Sequence, residues 1–236
     1  MFKKLLIKKH KKKIIIFSTA ENLISIPLVH HVISHKKYKD YKFDIFLTKR
    51  NFIRSIKVLL VIIFYGSFFD LIRSFSNKKK MKDLKKFKNV KILKKIIKSD
   101  YDFGLNIYGI IELKLQKYKI YNFHLGSLSN QRGSFIFYYK YLHNWDSISL
   151  TFHQIEDQFD VGRILNERKI KNIKNKNAFY IIKLYLDNLD FLVSSIDKVG
   201  KKIKYRKYKK FKKLFLVPKF LELIKSILKR FFLNKN

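Results

Sequence analysis

Apolar runs and polar punctuation divide this chain into alternating short strands and helices. Ile14 to Phe17 is a compact β-branched run of the kind that forms a buried parallel strand. After the loop Ser18 to Ser25, Pro27 stands at a first helical position, where its missing N–H costs nothing, and Leu28 to His35 continues the helix. Phe43 to Thr48 predicts a second strand and Phe52 to Phe75 a long apolar helix. Asn77 to Lys88 predicts an exposed lysine-rich connector, Val90 to Ile92 a short strand and Leu93 to Ser99 a short helix.

The second half carries denser signals. Phe103 to Ile107 and Ile120 to Phe123 read as strands, joined by a helix or turn around Gly109 to Gln116. Gly133 to His143 predicts a helix. Ile148 to Ile155 alternates: Ile148, Leu150 and Phe152 face one way, and Ser149, Thr151 and His153 the other, as in a half-buried strand. Arg163 to Arg168 predicts a further strand and Ala178 to Val193 one strongly apolar helix. Strands alternating with helices at this spacing predict an α/β domain: a Rossmann-like, mostly parallel sheet flanked by helices. Three parts are expected: a basic leader at 1–13, a catalytic domain at 14–175, and a basic helical C-terminal extension at 176–236.

Composition adds a size and a charge. The 236 residues suffice for one ordinary domain with a sizeable core, and 47% of them are hydrophobic, too many for a disordered chain. Without cysteine, neither a disulfide framework nor a thiolate metal site can form. The net charge is +37, and lysine supplies 46 of the 54 basic residues. Two readings of that charge stand side by side. AT-rich codon usage loads solvated faces with lysine; alternatively, the surface attracts phosphates, nucleic acid or anionic lipid. A reader of phosphates through bidentate contacts favours arginine, of which there are only 8.

The basic N-terminus is followed by an apolar run too short for a signal peptide, so a cytoplasmic setting is expected. Val58 to Phe69 is too short to span a bilayer and is expected to be a buried helix, with membrane contact as the alternative. Phe220 to Phe232 places apolar residues between Lys225, Lys229 and Arg230. It is expected either to pack back on the domain or to lie on an anionic membrane surface or a partner.

The chemistry concentrates between Tyr121 and Leu165. Asn122 and His124, two apart at a strand end, project to the same face. The acidic loop Glu156 to Gly162 follows the alternating strand and can return Asp160 to that edge. Transfer of a formyl group between nitrogens suits such a set. An amide N–H₂ stabilises a developing oxyanion, an imidazole donates to it or relays a proton, and a carboxylate orients the imidazole and accepts the proton of the incoming amine. A structural Asn-x-His and a solvated acidic turn remain the plain readings of the same residues. Neither GxGxxG nor GxxxxGK[ST] occurs.

The run Asn122-Phe-His124-Leu-Gly126-Ser-Leu-Ser129-Asn-Gln-Arg132-Gly133 resembles the signature N-[IL]-H-P-[SG]-x-x-P-x-x-R-G of 10-formyltetrahydrofolate-dependent formyltransferases. Asp157 to Leu165 resembles that family's D-x-x-[IVL]-D-[TG]-G-x-[IVL]-[IL]. Ile26-Pro27-Leu28-Val29 and Tyr108-Gly109-Ile110-Ile111 resemble two further motifs of methionyl-tRNA formyltransferases. The similarity spans roughly residues 13 to 170. It implies Asn122, His124 and Asp160 as catalytic groups and 10-formyltetrahydrofolate as donor, with no metal. It places the donor at Tyr108, Gly109, Ile111, Asp157 and Gln158, and the acceptor at Gly126, Ser127, Arg132 and Gly133.

Leu125 and Ser129 replace both signature prolines, which bears on the acceptor more than on the chemistry. The Gly126 turn is similar to that of nucleotide-amino-sugar formyltransferases, so an amino sugar on a nucleotide is the expected acceptor. Initiator tRNA is the alternative, favoured by charge and disfavoured by the lack of a counterpart to the C-terminal barrel of the tRNA-directed enzymes. An inactive paralogue that binds folate or a membrane is a third reading.

Overall fold

The computed structural model describes residues 11–19, 24–48, 52–65, 81–96, 99–109, 117–156, 158, 160–202 and 214–233. Among them, strands β1 (Lys13–Thr19), β2 (Lys42–Thr48), β3 (Val90–Leu93), β4 (Phe103–Asn106), β5 (Ile120–Leu125), β7 (Ile148–Gln154) and β8 (Ile164–Ile170) form one sheet in the order β3-β2-β1-β4-β5-β7-β8. The first five run parallel, and β7 and β8 are antiparallel additions beyond β5. The order reverses at β1: the chain winds outward through β2 and β3, then returns to β1's other side with β4. That reversal opens a crevice at the carboxyl ends of β1 and β4. A separate pair joins β6 (Arg132–Gly133) to β9 (Leu214–Phe215). The expectation of a Rossmann-like α/β fold is met.

The helices are α1 (Ser25–Ser34), α2 (Phe52–Tyr65), α3 (Met81–Leu84), α4 (Ile136–Leu142), α5 (Ala178–Asp187), α6 (Leu189–Ile196) and α7 (Phe220–Leu233). Ile14, Ile16, Phe43 and Ile45 of the parallel strands share one buried core with Leu28 and Val29 of α1 and Ile181 and Leu184 of α5. Phe191 of α6 and Leu223 and Ile227 of α7 belong to the same core. The period of two along β5 turns Tyr121, Phe123 and Leu125 into that core and leaves Asn122 and His124 on the other face.

Several predicted elements differ, each for a local reason. The expected 93–99 helix does not form among its described residues, because Leu93 continues β3 opposite Phe46. The lysine-rich connector contains the single turn α3. The helix expected from Gly133 starts at Ile136, since Gly133 is held in β6 and Phe135 is left-handed at φ 59°.

The helix expected over 178–193 is two helices broken at Asn188. The Asn188 side chain donates to the Leu184 carbonyl (2.8 Å) and accepts from Arg168 (2.9 Å), in competition with the helical ladder. Asn177 caps α5 by accepting from the Tyr180 N–H at 2.7 Å. The expected strand at 148–155 is present, but Ser149, Thr151 and His153 are buried as well as the apolar face. The expected turn or helix at 109–116 lies, after Gly109, outside the described residues.

Candidate active site

Pairing register builds the site. Asn106, the last residue of β4, stands opposite Asn122 on β5, and Asn122 stands opposite His153 on β7. Directly paired residues share a face, so three strands line up Asn106, Asn122 and His153 in one row. His124 follows two residues along β5 on that face. The loop after β7 then brings Asp160 back over the row, as its position after the strand led us to expect.

The Asn122 amide is oriented by its neighbours. Its Oδ1 accepts from Asn106 Nδ2 at 2.9 Å. Its Nδ2 donates to Asp160 Oδ1 at 3.0 Å and lies 3.2 Å from His153 Nε2. His153 Nδ1 lies 3.2 Å from the Gln154 carbonyl. The network therefore assigns the His153 proton to Nδ1, leaving Nε2 to accept from Asn122. Asn106 in turn accepts from the Gly109 N–H at 3.0 Å.

Asn106 and His153 both escaped the sequence reading. The signal for His153 was its place on the polar face of the alternating strand. Replacing Asn106 by leucine is expected to lower turnover about tenfold, because the Asn122 amide loses the partner that fixes which end faces Asp160. Steady-state kinetics tests this; unchanged turnover would remove Asn106 from the orienting set.

The His124 ring is held at both nitrogens. Nε2 lies 2.8 Å from the Gln131 carbonyl, which can only accept, so Nε2 carries the proton. Nδ1 faces Asp160 Oδ1 at 3.4 Å. Burial lowers the His124 pKa, and the neighbouring His153 and Arg132 add to that, outweighing Asp160 and the Gln131 carbonyl. The ring is therefore neutral at neutral pH, with its Nδ1 lone pair beside the carboxylate.

Asp160 is the most constrained residue of the set. Its backbone is left-handed at φ 52°, a conformation aspartate tolerates better than most residues. Burial raises its pKa, but in the acid range where it titrates the charge on His124, the contact with His153 and the Gly133 N–H outweigh burial and hold it at about 2. Gly133 N–H donates to Oδ2 at 2.8 Å, and Arg132 Nε donates to the Asp160 carbonyl at 3.0 Å.

Glycines make this approach possible. At Gly126, φ is +145° and a Cβ would stand 2.1 Å from the Gln131 carbonyl oxygen. That is the oxygen that orients His124. Gln131 itself accepts from the Ser127 N–H (3.1 Å) and donates to the Ser147 carbonyl (2.8 Å), which ties the 126–131 turn to the segment entering β7.

The structure thus gathers Asn122, His124, Arg132 and Gly133 around Asp160. Gly126 and Ser127 lie in the supporting turn. Half-buried Tyr108 and Gly109 lie at the carboxyl end of β4, one hydrogen-bond step from Asn122 through Asn106. Gln158 is exposed on the Asp160 loop. Ile111 and Asp157 lie outside the described residues. Among the described residues no group of His, Asp and Glu side chains is disposed to hold a metal ion.

Solved structures share this architecture. A 4-N formyltransferase from Francisella tularensis aligns with 87% of this chain and 76% of its own, at 18% identity and TM-score 0.57. The fold is that of the N-formyltransferases. A Helicobacter canadensis N-formyltransferase, solved with folinic acid and dTDP-3-aminofucose, aligns with 87% of this chain and 71% of its own, at 17% identity and TM-score 0.51. WlaRD, a sugar 3N-formyltransferase solved with dTDP and 5-N-formyl-THF, covers 87% and 69%, at 15% identity and TM-score 0.52. No protein-family model and no curated protein sequence matches the chain. In the formyltransferase fold, the buried Asn122–His124–Asp160 cluster occupies the edge next to the crevice opened by the strand-order reversal.

Proposed function

We propose that this chain is a formyltransferase that moves a formyl group from 10-formyltetrahydrofolate to the primary amine of a nucleotide-linked amino sugar. The observation that carries the reading is the buried convergence of Asn122, neutral His124 and ionised Asp160 on one sheet edge of an N-formyltransferase fold. The neighbours solved with a formylated folate and a dTDP sugar or dTDP support the donor and the acceptor class. We assign catalysis to residues 14–175. The described helices of 176–236 extend the same core.

The donor supplies an activated formyl carbon when bound, and we assign its binding to the half-buried Tyr108–Gly109 edge and exposed Gln158. At Gly109 a Cβ would come within 2.7 Å of the Phe17 backbone, so this edge is kept free of a side chain. The remaining work falls to the side chains of the cluster. As the acceptor nitrogen bonds to the formyl carbon, it must lose a proton. Asp160 Oδ1 and His124 Nδ1, two acceptors 3.4 Å apart, receive it, and the product is an imidazolium–carboxylate pair.

That proton then leaves from His124 Nδ1 toward the departing nitrogen as the old C–N bond breaks. Asn122 Nδ2, released from one of its two present contacts, donates to the carbonyl oxygen as it gains charge. Arg132 and the Gly126–Ser127 turn line the acceptor side.

The test is formyl transfer from 10-formyltetrahydrofolate to three acceptor classes: dTDP-linked amino sugars, glycinamide ribonucleotide and methionyl-tRNA. Turnover on an amino sugar is expected. Turnover on methionyl-tRNA alone would overturn the acceptor, and no turnover on any would overturn the enzyme in favour of a binding paralogue.

A further inference from the structure

Helix α2 was expected to be buried, and it is buried on one side only. Val61 and Tyr65 enter the core, while Phe52 (76% exposed), Leu59 and Ile63 face outward with half-buried Ile56 between them. At 3.6 residues per turn these four positions fall within an arc of about 60°. No charged residue interrupts that stripe. Helix α7 adjoins α2: Tyr65 Oη donates to Ser226 Oγ at 3.0 Å, and Lys57 Nζ donates to the Pro218 carbonyl at 2.6 Å. Its inner face buries Leu223 and Ile227, yet a second edge exposes Leu221 (64%) and Leu228, seven residues apart and so on one stripe. Exposed Lys219 and Lys225 accompany the apolar edge of α7, against the single carboxylate Glu222, while Arg54 and Lys57 of α2 turn inward to Ser134 and Pro218.

Charge decides what covers such a face. A second copy brings another +37, so pairing two of these surfaces sets like charges against each other. Nucleic acid satisfies the lysines but offers nothing to leucine and isoleucine, which neither stack on bases nor pair with phosphates. An anionic bilayer meets both demands: the apolar stripes enter the boundary between headgroups and acyl chains, and the lysines meet lipid phosphates. No helix among the described residues is long and apolar enough to cross a membrane.

We infer that the outward faces of α2 and α7 together dock this protein on an anionic lipid surface. The sequence offered membrane contact as an alternative for each helix; the structure leaves an exposed apolar stripe on both, in two helices that adjoin. The proposal stands independently of the formyl acceptor.

Co-sedimentation of the full chain with phosphatidylcholine vesicles, with and without phosphatidylglycerol, tests it. Binding is expected to the anionic vesicles and to be at least about tenfold weaker to phosphatidylcholine alone. The charge-neutral pairs Leu59→Ser with Ile63→Ser, and Leu221→Ser with Leu228→Ser, are each expected to weaken anionic-vesicle binding about tenfold. Circular dichroism and formyl transfer in solution should be unchanged, because the replaced side chains are exposed and apolar and make none of the hydrogen bonds that hold Asp160. If the serine pairs bind as tightly as the parent chain, lysine attraction alone is responsible and the docking face is overturned. Failure to bind anionic vesicles, or a concentration-dependent dimer abolished by the same serine pairs, overturns it equally.

Discussion

Replacing Asp160 by asparagine is expected to lower kcat/KM by roughly 10²–10⁴-fold with the fold retained. The substitution isolates the charge. Asparagine shares aspartate's tolerance of a left-handed backbone, so φ 52° at this position remains accessible. The side-chain oxygen can still accept from Gly133 or Asn122. What disappears is the charge that, in the proposed reaction, receives the acceptor's proton and holds the imidazolium formed on His124. Steady-state kinetics with the competent acceptor measures it, and near-normal turnover would take Asp160 out of the mechanism.

The same variant carries a stability signature. The Asp160 carboxyl is held at about 2 in the folded chain, below the ordinary value of about 3.9 for an unfolded aspartate. A depressed folded pKa means that ionisation favours folding. That contribution, on the order of 2 kcal/mol, is fully present above about pH 4 and is lost as pH falls toward 2. Urea unfolding across this window should therefore show a steeper acid loss for the parent chain than for Asp160→Asn. Parallel pH profiles would mean that Asp160 is not preferentially ionised in the fold.

Gly133→Ala is expected to damage folding and activity together. Gly133 has φ +105°, and a Cβ there would sit 2.0 Å from the Phe215 carbonyl oxygen. The obstacle is backbone, which cannot swing aside as a side chain can. Phe215 is anchored by Tyr139 (ring centroids 4.6 Å apart), His143 and Trp145, and its carbonyl accepts from the Ser134 N–H at 2.7 Å. The β6–β9 pair must therefore open. Left-handed strain and the lost pair together should cost about 2–4 kcal/mol.

Opening the pair also moves the Gly133 N–H that holds Asp160 Oδ2. A fall in kcat/KM of about a hundredfold or more is thus expected in the fraction that still folds. Thermal unfolding and kinetics on the soluble fraction measure both effects. Parent-like stability with parent-like activity would mean that β9 does not support the carboxylate. This is how the C-terminal segment, remote in sequence, becomes part of the geometry around Asp160.

The strands were legible because they are written in local pattern. Ile14 to Phe17, and Phe43 to Thr48 apart from Asp44, are apolar, β-branched or aromatic runs, which need only a sheet to bury them. The Asn122–His124 pair was legible for a similar reason: a spacing of two on a strand already fixes a shared face. Asp160 was legible through its order after β7 and its place in a resembling motif.

Other features depend on residues far apart in the chain. Leu93 joins β3 because Phe46 waits beside it. Arg132-Gly133 leaves the expected helix because Leu214-Phe215 pairs with it. The polar face of β7 reads as solvated in isolation, yet the turn carrying Gly126 and Gln131 covers it. Asn106 and His153 reach the site only through cross-strand register, which single-strand periodicity cannot specify.

By itself, then, the sequence determined the alternation of elements, the inward faces of the strands and the candidate trio, because each follows from neighbours within a few residues. Only the tertiary structure decided that His124 is neutral, that Asp160 is ionised, that Asn106 and His153 complete the row, and that β9 braces Gly133. Those properties arise from burial and from hydrogen bonds between segments separated by tens of residues, and they exist only once the chain has closed on itself.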